Sequence, residues 1–255
     1  FVQAKDPNVH QYDWSLINMG EMEIVEPQSL AWQPCPQFLN GYWPEPGTGG
    51  AGPRSIAAKG PGRVVADWHI SNGPWVPEGD PTLLRYAAAH SGRLRLIAAD
   101  DGPSGLIDAQ VGYERQWNGE QSQANSQDIL VIRKLAASHA FVDTLEPIAD
   151  DEQSYVKDVI VVERGSHNQQ LVKIVMVEGE DWIYLSGRWS TRPDGDKPVP
   201  SVTTDADIVV WRVVNNVAKK VYLAGGSYAN TAQGSWNFGS HGNHYVADMA
   251  GITGY

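Results

Sequence analysis

A single cysteine, Cys35, stands in 255 residues. One cysteine excludes an intrachain disulfide and a thiolate metal cluster built from this chain alone, and it leaves the redox compartment open. No apolar run approaches the roughly 20 residues that a membrane-spanning helix needs, so no membrane partner is expected. Basic residues are in the minority: 19 Lys and Arg against 30 Asp and Glu give a net charge of −11. Nucleic-acid binders carry a basic stripe, so nucleic acid is not expected as a partner either. A P-loop, a GxGxxG after a strand, HExxH, GxSxG and CxxC are all missing, together with the chemistry each supports. Neither an amphipathic helix nor a repeat of fixed period is found. The chain opens at Phe1 without an apolar leader or a lead-in loop. Any export leader is therefore expected upstream of Phe1.

What the sequence does have is tryptophan. Its 10 Trp equal its 10 Tyr and exceed its 4 Phe. Indole offers a flat apolar face with one polar handle, which suits a sugar ring and a sandwich core alike. A chain of this length can bury a sizeable core in a single domain.

The dominant local signal is alternation with a period of two. In Val9–Met19, Tyr12, Trp14 and Leu16 share one face, and Glu21–Glu26 follows beyond Gly20 as the expected hairpin partner. Arg63–Ser71 reads as a strand. Leu83–Ala89 and Arg93–Ala99 read as a hairpin around Ser91-Gly92, with Arg93, Arg95 and Ile97 opposed to Leu94, Leu96 and Ala98. Ile129–Leu135 and Ala140–Leu145 suggest another hairpin. Val156–Arg164, Gln170–Glu178 and Asp181–Ser186 suggest a meander. Ile208–Val214 and Lys219–Ala224 pair across Asn215-Asn216, two residues that accept positive φ in a tight turn. Residues 28–62, 107–127 and 189–200 read as loops. The tail from Gly225 to Tyr255 is rich in Gly, Ser and Asn and lacks clear periodicity. The expectation is one all-β domain over 1–255, an antiparallel two-sheet β-sandwich of about ten to twelve strands with long loops.

Three groups of residues are candidates for function. His10 and Tyr12 lie two apart on one strand face, where one ligand or metal could meet both. Histidine is the side chain most readily tuned near neutral pH. The basic pairs Arg93/Arg95, Arg133/Lys134 and Lys219/Lys220 could form a patch for an anion, although such charges are more often solvated faces. In the tail, Trp236, His241 and His244 lie among glycines, Phe238 and Tyr245, and could form a sugar-contacting loop. Asp248 is the nearest carboxylate, which makes a metal site there a poor match.

The runs His10-Gln11-Tyr12-Asp13-Trp14, Asp128–Arg133 followed by Ala140–Pro147, and Thr203–Trp211 leading into Val221–Ser227 occur in an order that resembles the β-sandwich portion of heparinase II/III-like polysaccharide lyases of the alginate and oligoalginate type. The resemblance implies the C-terminal part of a larger lyase whose α/α toroid lies upstream. It implies β-elimination on a uronate polysaccharide, alginate ahead of glycosaminoglycans, by a Tyr with a His or Asn supplied upstream of this chain. Under that reading the residues already singled out, His10, Tyr12, Trp236, His241 and His244, are the substrate-binding candidates. The resemblance further implies His10 as one ligand of a structural zinc whose other ligands precede Phe1, and a periplasmic or secreted location. The strand bearing His10 is then expected beside an exposed strand edge or an apolar face that the upstream segment would cover. Partners would be an acidic polysaccharide or oligosaccharide and the toroid. Two other classes compete: a non-catalytic carbohydrate-binding module, and a structural accessory domain. The reading frame upstream of Phe1 separates them, since a toroid there selects the lyase.

Overall fold

The computed structural model describes residues 2–3, 8–17, 21–26, 33–34, 54–56, 63–70, 92–99, 108–113, 128–136, 138–149, 151–165, 169–186, 199–248 and 251–253. The expected strand Leu83–Ala89 and nearly all of the 189–200 loop lie outside these residues. Among the described residues there are strands and no helix, and every strand pairing is antiparallel. The all-β class expected from the alternation is therefore what the chain adopts. Twelve strands form sheets of four and eight, and sheets of five and two strands accompany them. The chain divides into two compact units, Val2–Ser154 and Tyr155–Tyr255, each described by itself.

The N-terminal unit contains β1 (Val2–Gln3), β2 (His10–Ile17), β3 (Glu21–Glu26), β4 (Gln33–Pro34), β5 (Arg54–Ile56), β6 (Val64–Ile70), β7 (Gly92–Ala98), β8 (Asp108–Tyr113), β9 (Asp128–Ala136), β10 (Ser138–His139) and β11 (Asp143–Ala149). One sheet runs β11-β7-β6-β3 and another β2-β9-β8-β5-β4. Their facing residues make one core: Val64, Ala66 and Trp68 from β6, Leu96 and Ala98 from β7, and Leu130 and Ile132 from β9. Trp14 and Leu16 of β2 pack at its margin, as the alternation of that strand dictates. This unit is a two-sheet sandwich built on period-two strands.

Two expected hairpins are corrected here. β2 does not pair with β3; it bonds β9, with His10 opposite Ala136, while β3 bonds β6. β9 does not pair with β11, which bonds β7 instead. A period of two specifies which face a residue takes, and it says nothing about which strand lies beside it. Two of the expected loops also hold short strands, β4 and β5 in the first and β8 in the second.

The C-terminal unit contains β12 (Val156–Arg164), β13 (Gln170–Met176), β14 (Glu180–Leu185), β15 (Thr203–Thr204), β16 (Ile208–Val214), β17 (Val217–Thr231), β18 (Gly234–Asp248) and β19 (Gly251–Thr253). They form one sheet in the order β12-β13-β14-β16-β17-β18-β19, with β15 on the far half of β17. The expected β12–β13–β14 meander is present, with Gly179 at φ +88° in its second turn. The β16–β17 hairpin turns on Asn215 and Asn216 at φ +52° and +61°, a conformation costly for most L-residues and easier for Asn.

The tail differs most from expectation. Instead of irregular chain it is half of a long hairpin, fifteen residues in each of β17 and β18. Opposite the single residue Ser227, β18 inserts the four residues Phe238–His241, so the register breaks there. Asp205 holds that break. Its carboxylate accepts bonds from the Ser227 amide at 2.7 Å, the Ser227 hydroxyl at 2.7 Å and the Tyr228 amide at 3.0 Å. Thr204 adds a hydroxyl bond to the Tyr228 carbonyl. Beside the clasp, Gly226 passes so close to Ala206 that any side chain would overlap its backbone.

The far half of the hairpin joins the core of this unit. Ala229 and Trp236 are buried with Trp211, Val221, Leu223 and the segment residues Val199 and Val202. Trp182 stacks on Trp211 at 5.9 Å, and Trp211 meets Trp236 at 6.3 Å.

Two predictions follow from these turns. Burial pushes the Asp205 carboxyl up, but the bonds from Ser227 and Tyr228 outweigh it and hold the group below the usual carboxylate range. Its contribution to stability is complete above the unfolded pKa and is lost as pH falls through the lower folded one. Asp205→Ala should cost about 2 kcal/mol at neutral pH, read as a lower urea midpoint, and the gap from wild type should close in acid. At the β16–β17 turn, Asn216→Ala should cost about 1 kcal/mol whereas Asn216→Gly should cost nothing, read by the same denaturation.

Candidate functional site

His10 lies on β2, which among the described residues is the end strand of the five-stranded sheet, hydrogen-bonded to β9. An exposed strand edge or an apolar face was expected beside it. Tyr12 follows on the same face, with ring centroids 6.4 Å apart and planes at 67°. His10 is half-buried, while Tyr12 is only 6% exposed and belongs to the sandwich interior. The pair is thus brought together, with Tyr12 offering little surface to a ligand. Among the described residues no three His, Cys, Asp or Glu side chains gather to hold a metal.

The tail candidates separate along β18. Trp236 pairs with Ala229 and is 8% exposed, its ring packed against Trp211. It therefore serves the core. His244 is exposed opposite Ala224, on the other side of the four-residue bulge. The backbone of His241 belongs to β18, and its side chain lies outside the described residues. Within the bulge the Tyr245 hydroxyl donates to the Ser240 carbonyl at 2.7 Å, and its ring stacks on Phe238 at 4.7 Å and 10°. These aromatic faces are turned on one another.

A similar closure holds at the other end of the aromatic row. Lys173, Trp182 and Trp211 are successive partners across β13, β14 and β16. The Lys173 ammonium sits 5.5 Å above the Trp182 ring and 3.5 Å from Glu180. The Trp182 indole donates to the same Glu180 carboxylate at 3.1 Å. Cation, ring and carboxylate satisfy each other.

The charged group that the sequence did not reveal is on the N-terminal unit. On the face of the four-stranded sheet away from its core, Asp67 stands opposite Arg95, with Glu23 and Glu146 on the two flanking strands. Asp67 is 4% exposed and accepts from Arg95 Nε and Nη2, each at 2.7 Å. The bond to Asp67 raises the Arg95 pKa, with burial opposing it. Arg93 approaches Asp67 at 3.6 Å and donates to the Glu152 carbonyl at 3.2 Å. Arg63 grips Glu26 through two nitrogens at 2.6 and 2.8 Å. That bond lowers the Glu26 pKa against the effect of burial.

The Arg93/Arg95 pair considered as an anion patch is thus held by the protein's own carboxylate. Lys219 and Lys220 are exposed, and the Arg133 and Lys134 side chains lie outside the described residues. A sequence signal for Asp67 existed, since it shares a face of β6 with Val65 and His69, opposite to Ala66 and Trp68. Only the β6–β7 register places it opposite Arg95.

One carboxyl has a different environment. Burial pushes the Asp143 pKa up. It stands opposite Ala98, itself opposite Val64, so its ladder neighbours are apolar. A desolvated carboxyl has the character of a general acid.

No protein-family model, curated protein or solved structure matches this chain.

The buried pair yields a prediction. Asp67→Ala leaves the Arg95 guanidinium without its carboxylate and should cost about 3 kcal/mol or more, read as a lower thermal midpoint. Replacing both partners, as Asp67→Leu with Arg95→Met, should recover most of that loss. A double variant as unstable as Asp67→Ala would contradict the pairing.

Proposed function

We propose that this chain is the β-structured, non-catalytic portion of a heparinase II/III-like polysaccharide lyase acting on a uronate polymer, alginate by preference, in the periplasm or outside the cell. The observation that carries the reading is the adjacency of β2 and β9. Two of the stretches on which the resemblance rests, HQYDW and DILVIR, are hydrogen-bonded neighbours in register, with Trp14 opposite Ile132. Both contribute to one sandwich core. Sequence runs far apart in the chain thus become one structural element.

The non-catalytic part of the reading rests on how the polar groups are spent. β-Elimination at a uronate requires a base for the C5 proton, an acid for the departing glycosidic oxygen and a partner for the carboxylate. Asp67, Arg95, Arg63, Glu26, Lys173 and Glu180 are engaged with each other. In this proposal the reacting groups belong to the upstream toroid, and a zinc held through His10 would take its other ligands from there too.

The test is elimination itself, followed by the ultraviolet absorbance of the unsaturated uronate product on alginate, heparin and hyaluronan. The 255-residue chain should produce none, and the protein in which it follows a toroid should cleave at least one. Turnover by the chain alone would overturn the non-catalytic role. Absence of elimination by the intact protein on every uronate polymer would overturn the lyase reading, and retention of the chain on an alginate affinity column would then favour a carbohydrate-binding module.

A further inference from the structure

We draw no further inference here: the strongest candidate, the apolar stripe of register partners Val161, Val172, Ile183, Val210, Tyr222 and Val246 across the face of the eight-stranded sheet opposite its core, carries nothing because the structure does not show what covers it.

Discussion

The C-terminal unit depends on one carboxylate. Asp205 gathers two backbone amides and a hydroxyl from Ser227 and Tyr228, and those residues sit where the long hairpin loses register. Beyond that point the hairpin contributes Ala229 and Trp236 to the core. A buried aromatic of this size is worth on the order of 2–3 kcal/mol. Gly225, at φ +69°, and Gly226 are required because a side chain at either would overlap Asp207 or Ala206. Glycine, carboxylate and tryptophan therefore form one device. The glycines permit the close approach, Asp205 fixes it, and Trp236 gains its burial from it.

The same economy of partners governs the N-terminal unit. Its four-stranded sheet buries Trp68 and Leu96 inside the sandwich, and on the other face Asp67, Val65 and Ile97 are buried while Glu23 and His69 are exposed. A buried aspartate is tolerable only when paired and hydrogen-bonded, and Arg95 supplies both. Although the chain carries a net charge of −11, Arg63, Arg95 and Lys173 are each held by a carboxylate of the chain itself.

Much of the local structure was legible in the sequence. Alternation placed Leu94, Leu96 and Ala98 on the core face of β7 and Arg93 and Arg95 on the other, and Asn215-Asn216 marked a turn. Strand partners were not legible, because β2 with β9 and β7 with β11 are long-range choices that a period of two leaves open. The tail hid for a different reason. Its Gly, Ser and Asn content lowers strand propensity, and the four inserted residues break the alternation within β18. Trp236 illustrates the consequence for the site. Among glycines it resembled a sugar platform, but only the folded hairpin shows its ring against Trp211. His10 and Tyr12 did fall together on one strand face, because two residues two apart on one strand need no long-range information.

Amide hydrogen exchange across residues 226–236 measures the clasp most directly. The account predicts that the amides of Ser227 and Tyr228, bonded to Asp205, exchange as slowly as those of the core strands β14 and β16 at neutral pH. In Asp205→Ala they should exchange ahead of those strands, together with Ala229 and Trp236. Fast exchange of Ser227 and Tyr228 in the wild-type protein, with β14 and β16 still protected, would contradict it.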